Sequence, residues 1–246
     1  MTKQNFKLTI EYDGTNYLGF QVQAKGVTIQ SAVEEACEKL FCQKLRIVSC
    51  GRTDSGVHAE EHVVNVVVDT KLKIKNIRDG LNRYLPRDIA VLSVRKVPLS
   101  FHARFAAKKK TYEYRIVNRQ VRSPLDERYA YFIPQLLDVV AMRKALAMLI
   151  GKHDFRSFAS QMPDDKNTVR TMFAATITKR NGRISIRLTA DGFLYNMVRA
   201  IVGTVCLVGK GSMTLDEFRA IVDARSRMHR GPTIPSQGLR LLSVRY

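Results

Sequence analysis

The chain has no tryptophan, only four cysteines and 22 acidic side chains against 41 basic ones in its 246 residues. Each deficit excludes something. Cys37, Cys42, Cys50 and Cys206 form no C-x-x-C pair and match no usual zinc spacing, which sets aside zinc-ribbon and thioredoxin-like chemistry and points to reduced thiols in a cytosolic core. No apolar run is long enough to span a bilayer. The most apolar stretch, Phe193 to Val208, is interrupted by Asn196 and Arg199. Near the N-terminus the chain enters a strand-like segment, Phe6-Lys-Leu-Thr-Ile-Glu-Tyr12, so a signal or transit peptide is not expected. The expected location is cytoplasmic, with no membrane partner.

The shortage of acid leaves a net charge of +19 and an isoelectric point near 10.1. Such an excess fits a polyanionic partner, with a basic surface kept for solubility as the plainer reading. The charge is uneven: residues 1–105 carry 16 basic and 11 acidic side chains, residues 106–246 carry 25 and 11. Arg104 to Arg128, which begins at the junction of the halves (eight basic residues, including Lys108-Lys109-Lys110), and Arg225-Ser-Arg-Met-His-Arg230 are concentrated clusters. Such clusters suit phosphate contacts, which supply affinity and little sequence information.

Periodicity predicts an α+β chain. After the first strand, Thr28 can cap a helix with Ile29, Val33, Ala36, Cys37, Leu40 and Phe41 at helical spacing. Strands are expected at 46–52, 62–69 and 89–95, with a helix at 74–85, giving β-α-β-β-α-β. The second half repeats that order with one extra helix. It runs from a strand at Lys110–Val117 through a helix at 136–150 and a hairpin about Asn181-Gly182 to helices near 193–208 and 214–224 and a last strand at Leu239–Tyr246. Two ferredoxin-like halves, 1–105 and 106–246, are therefore expected to form one catalytic unit, with a continuous mixed, mainly antiparallel sheet and a central cleft.

Three groups of residues are candidates for chemistry. In Gly51-Arg-Thr-Asp-Ser-Gly-Val-His-Ala59 one acid, Asp54, stands between glycines and beside Arg52, on a loop flanked by strand-like runs. An ordinary turn aspartate is the bland alternative. Arg199 is the single charge in the apolar helix predicted from Phe193, and Asn196, Arg199 and Gly203 would share one face of it. A buried arginine needs an anionic partner, unless its head reaches solvent. Tyr112 and Tyr114 alternate on a strand, pointing one way while Glu113 and Arg115 point the other; base stacking and simple packing both suit them.

Two motifs fail. His58-Ala-Glu-Glu-His62 has a zinc-binding spacing but runs from a glycine loop into a valine-rich strand instead of along a helix. Gly203 to Gly211 has five residues between its glycines and Gly211 where a phosphate loop needs Ser or Thr, so a glycine-capped helix is expected. No Ser-His-Asp or Cys-His order can be singled out among the five histidines.

Seven segments resemble the TruA-type tRNA pseudouridine synthase family from the first strand to the last. They are Tyr12 to Gln23, Gly51 to Ala59, Phe101-His-Ala-Arg104, Lys110-Thr-Tyr-Glu-Tyr114, Gly151-Lys-His-Asp-Phe155, Phe193 to Gly203, and Gly238-Leu239. The resemblance implies the pseudouridine synthase fold and conversion of uridine to pseudouridine in the tRNA anticodon stem-loop, at tRNA positions 38, 39 and 40. It implies no metal or organic cofactor, and a homodimer that cradles tRNA. By the same resemblance Asp54 is the essential acid, acting on the sugar, on the base or on a sugar proton. Arg52 helps displace the target base, Tyr112 stacks on the uracil and is a candidate to take its proton, and Arg199 pairs with Asp54. Phe20, Ser55 and Ile234 depart from the family pattern, where tryptophan, alanine and a small residue are usual. A non-catalytic RNA-binding module shares the ferredoxin-like order, but the basic-Gly-aromatic signature of such modules is absent from His62 to Asp69. A synthase acting on ribosomal RNA or other tRNA positions is the second alternative.

Overall fold

The computed structural model describes residues 3–160, 167–226 and 230–246. It is α+β and divides into two compact units, Met1–Lys108 with Leu241–Tyr246, and Lys109–Arg240.

The first unit runs β1 (Gln4–Tyr12), α1 (Ile29–Phe41), β2 (Val48–Ser49), β3 (His58–Val68), α2 (Ile74–Tyr84) and β4 (Ile89–Val97). Its strands take the order β4-β1-β3, antiparallel, with β2 on the far edge of β3. That is the ferredoxin-like arrangement expected of β-α-β-β-α-β. Alternation along β1 explains the layering. Phe6, Leu8, Ile10 and Tyr12 are buried, as are Ile29, Val33, Ala36 and Cys37 of α1 and Ile77 and Leu81 of α2. Thr28 caps α1 as expected, its hydroxyl accepting from the Ser31 N–H at 3.1 Å. On the opposite face Asn5 donates to the Pro98 and Phe101 carbonyls, and the Ala103 N–H donates to Asn65. The Phe101–Arg104 motif is thereby laid along the sheet.

The second unit contains β5 (Lys109–Val117), β6 (Tyr131–Phe132), α3 (Val139–Ala147), β7 (Gly151–Asp154), β8 (Val169–Arg180), β9 (Arg183–Ala190), α4 (Met197–Gly209) and α5 (Leu215–Ala224). Its strands take the order β5-β9-β8-β7, antiparallel throughout, with β6 parallel to β5. The β8–β9 hairpin turns at Asn181 and Gly182, both at positive φ (48° and 69°), the geometry that an Asn-Gly turn provides. The final strand, β10 (Leu239–Arg245), begins in this unit, but its residues from Leu241 onward group with the first. There it neighbours β3, and the Lys108 N–H donates to the Arg245 carbonyl at 2.8 Å.

Several expectations need correction. The strand expected at 46–52 is regular only at Val48–Ser49, because Ser49 bonds to Gly51 and folds the chain into the loop. The helix expected at 136–150 covers Val139–Ala147, since the Asp138 carboxylate caps it by accepting from the Val140 and Ala141 N–H groups. The helix expected from residue 193 begins at Met197: Asn196 is left-handed (φ 60°) and turns the chain before the helix can start. Short strands β6 and β7 are added. The Gly203–Gly211 stretch is the end of α4, with Gly211 at φ 71° beyond it, as expected of a glycine-terminated helix. Among the described residues no helix is long and apolar enough to cross a membrane.

Candidate active site

The loop that carries Asp54 is built by close approach of two segments. A Cβ on Gly14 would lie 2.0 Å from the Val57 carbonyl oxygen, and one on Gly19 would lie 2.8 Å from that of Thr53. Only bare backbone fits at either place. Gly19 is also at φ 90°, where L side chains are strained. Across this contact the Phe20 N–H donates to the Thr53 carbonyl at 3.0 Å, and Ser55 Oγ donates to the Tyr17 carbonyl at 3.1 Å. The loop closes on itself through Val57 N–H to the Asp54 carbonyl at 3.2 Å, with Gly56 at φ 76° in the turn. The segment Tyr12 to Gln23 is therefore the mount of the Asp54 loop, although 27 residues separate Gln23 from Gly51 in the chain.

Asp54 itself is half-buried, Arg52 is exposed and Thr53 between them is buried. At the end of β1, Asp13 Oδ1 lies 3.0 Å from His58 Nδ1, and the Gly14 N–H contacts the same nitrogen at 3.1 Å. His58 and His62 lie on β3, a strand as expected. The ring nitrogens of His62 face Tyr12 and Ser49 hydroxyls, at 3.1 and 2.9 Å. Among the described residues no group of three His, Cys, Asp or Glu side chains is placed to hold a metal ion.

In the second unit Tyr112 and Tyr114 do point to one face of β5, and both are buried. The Tyr112 ring meets Phe193 edge-on, with centroids 5.1 Å apart and planes at 84°, a favourable aromatic geometry. Tyr114 is a packing residue. It is fully buried, its hydroxyl donates to the Pro235 carbonyl at 2.6 Å, and burial pushes its phenol well above the ordinary value. Gly238 has no Cβ because one would lie 2.7 Å from the Tyr114 ring.

On the other face of β5 the Glu113 carboxylate is 1% exposed and gathers three guanidiniums. Arg115 and Arg187 donate to it at 2.8 and 2.9 Å, Arg240 also donates, and Ser185 Oγ adds a bond at 2.6 Å. Burial alone would raise its pKa. The hydrogen bonds from Ser185 and Arg187 and the Arg115 charge outweigh burial and hold the carboxyl below its ordinary value.

Arg199 lies in the first turn of α4 and is half-buried. Its Nε donates to the Ile234 carbonyl at 2.7 Å and its Nη1 to Asn196 Oδ1 at 2.9 Å. Arg199 and Asn196 are thus joined, but not along one helical face as expected: Asn196 precedes the helix in the left-handed region, and its side chain makes no capping bond. Gly203 has a separate task. A Cβ there would lie 1.9 Å from the Pro232 carbonyl oxygen, and one on Gly231 would lie 2.7 Å from Thr204 Cα. The Gly231 N–H donates to Thr204 Oγ1 at 3.0 Å. Residues 230–235 therefore lie directly on the helix, and Ile234, which departs from the family pattern, is buried. Of the basic cluster from Arg225 to Arg230, residues 227–229 lie outside the described residues.

The sequence reading missed two things here: the backbone tie from Arg199 to Ile234, which has no local signature, and the part played by His62. A polar residue in a buried phase of a valine-rich strand was the available signal for the second.

A profile described as tRNA pseudouridine synthase matches residues 8–106 and 145–246. Among curated relatives, tRNA pseudouridine synthase A of Thermoanaerobacter sp. strain X514 is 40% identical over 243 residues, covering 99% of this chain and 100% of the relative. Those of Caldicellulosiruptor bescii, and of Clostridium perfringens under the name tRNA pseudouridine synthase A 2, are each 42% identical over the same shares. Aligned over nearly its whole length, and carrying the glycine-mounted Asp54 loop within the matched span, the chain belongs to the tRNA pseudouridine synthase family of isomerases.

Proposed function

We propose that the protein converts uridine to pseudouridine in the anticodon stem-loop of tRNA, at tRNA positions 38, 39 and 40, with Asp54 as the catalytic acid. The reaction is an isomerisation: the bond from ribose C1′ to uracil N1 breaks, a bond from C1′ to C5 forms, C5 loses a proton and N1 gains one. A base paired in a stem has to leave its stack before C1′ can be reached. Arg52, exposed beside Asp54, suits the displacement of that base, and Tyr112 the uracil face. Arg199 pairs with Asp54. The protein acts without metal or organic cofactor, in the cytoplasm, as a homodimer whose basic surfaces cradle the tRNA. The observation that carries this reading is the mount of the loop, in which two glycines and the Phe20 N–H hold the backbone on both sides of Asp54. Chemistry that depends on one carboxylate needs that carboxylate held still.

The test is tritium release from tRNA labelled at uracil C5. Wild-type protein is expected to release tritium, and Asp54→Ala to abolish release while still binding tRNA. Release by Asp54→Ala at the wild-type rate would overturn the assignment. No release by wild type from any RNA would favour a non-catalytic RNA-binding module, and mapping of modified uridines in a deletion strain distinguishes the anticodon stem from other sites. For Arg199→Ala the expected result is lost turnover with a modest loss of affinity; lost affinity at full turnover would make Arg199 a phosphate contact instead.

A further inference from the structure

His62 lies beneath the Asp54 loop with no exposed surface, its ring stacked on Phe20 at 4.3 Å with planes 8° apart. Its Nε2 is 2.9 Å from Ser49 Oγ and its Nδ1 3.1 Å from the Tyr12 hydroxyl. Each of these hydroxyls leads on to the loop. Ser49 Oγ donates to the Gly51 carbonyl and accepts from the Gly51 N–H at 3.1 Å, while the Tyr12 hydroxyl is 2.8 Å from Thr53 Oγ1. One imidazole thus reaches Gly51 from one nitrogen and Thr53 from the other, and Arg52 and Asp54 follow directly.

Counting protons gives the chain a direction. A carbonyl only accepts, so the single Ser49 hydroxyl proton goes to Gly51, and Nε2 of His62 must carry a proton to donate to Ser49. Nδ1 of the neutral ring then accepts from Tyr12, whose oxygen in turn accepts from Thr53. A buried imidazole is costly unless its nitrogens are satisfied, and the next residues on its face of β3, Val64 and Val66, are apolar and buried. An apolar side chain would fill the space and lose both ties.

We propose that His62 is a positioning residue for the reaction: as the neutral, Nε2-protonated imidazole it holds Gly51 through Ser49 and Thr53 through Tyr12, and so sets where Asp54 and Arg52 are presented. The proposal rests on Asp54 being the catalytic acid. Phe20 adds a third tie, since its ring stacks on His62 while its N–H holds the Thr53 carbonyl.

Tritium release measured over a range of tRNA concentrations tests it, with Tyr12→Phe, His62→Phe, their double variant and Asp54→Asn, and with thermal melts of each. Both single variants are expected to lower kcat about 10- to 100-fold, the scale of a small misplacement at a reacting centre, with KM within about twofold. Because both remove the same chain of bonds, the double variant loses no more than the worse single one. Tyr12→Phe deletes one atom and keeps the ring, so its melting midpoint stays near wild type. Full kcat in both single variants, losses that multiply in the double, or a raised KM at unchanged kcat would each overturn the proposal. If His62→Phe does not fold, Tyr12→Phe and Ser49→Ala, which each cut one of the two ties, take its place: each is expected to lower kcat with KM within about twofold, and full kcat in both would overturn the proposal. Asp54→Asn separates the two ideas: activity there sinks the catalytic reading itself, whereas an inactive Asp54→Asn beside fully active Tyr12→Phe and His62→Phe sinks only the role of His62.

Discussion

Asp54 and Arg199 are both presented by backbone pressed against bare glycine, but the pressing partner differs in kind. At Asp54, loop meets loop, and neither Gly14 nor Gly19 has regular structure around it to resist displacement. The mount is therefore assembled from several ties: Phe20 to Thr53, Ser55 to Tyr17, and the His62 chain below. At Arg199 the glycine is in a helix of 13 residues whose own hydrogen bonds hold it rigid, and segment 230–235 lies on it by close contact at Gly203 and one bond at Thr204. A loop needs redundancy to hold a side chain in place; a helix start does not.

That contrast can be broken most severely at Gly203. The Cβ of Gly203→Ala would sit 1.9 Å from the Pro232 oxygen, and a rigid helix cannot move aside, so segment 230–235 must lift away. Overpacking of this kind costs about 3 kcal/mol, and Arg199 loses its Ile234 tie with it; a denaturant titration and tritium release check both effects. Gly19→Ala is the matching change in the loop. Its Cβ meets the Thr53 oxygen at 2.8 Å and the φ of 90° is unfavourable for alanine, which together cost about 2 kcal/mol. Turnover should fall further than stability there, because the displaced backbone is that of Asp54 itself. Equal loss of stability and turnover in both variants would remove the distinction.

Glu113 offers a smaller test, on the face of β5 opposite Tyr112. Its carboxyl is held below its ordinary value of 4.5, so the stability it contributes is complete above that pH and is lost as pH falls through and below it. Glu113→Gln should cost about 2 kcal/mol at neutral pH, less than a fully buried pair because Arg115 and Arg187 are 45% and 58% exposed. Melts between pH 3 and pH 7 should show wild type and variant converging at the acid end. Smallest is Thr214→Ala at the capping box of α5, where the hydroxyl accepts from the Glu217 N–H at 3.2 Å. It should cost about 1 kcal/mol and leave turnover alone.

The order of elements was legible because each signal is local. Apolar spacing in α1 and α2, alternation in β1 and β9, the Asn181-Gly182 turn and the Thr28 cap each involve a few neighbouring residues, and each is observed. Asn196 marks the limit. An apolar run predicts helix through it, yet one residue in the left-handed region moves the start to Met197, and that choice is made together with the Arg199 and Ile234 contacts. His62 marks another limit. Its spacing from His58 invited comparison with a metal motif, while its partners, Tyr12 and Ser49, come from strands that only pairing brings beside β3.

By itself the sequence determined the two runs of strands and helices, the excess of positive charge, the set of motifs that relates the chain to its family, and the place of Asp54 between two glycines. Tertiary structure alone decided which backbone those glycines admit, that the end of β10 joins the first unit, and that a buried histidine ties both sides of Arg52. The reason is range: propensity and periodicity act within a few residues, whereas close backbone approach and hydrogen-bond chains depend on segments that meet only when the sheet has formed.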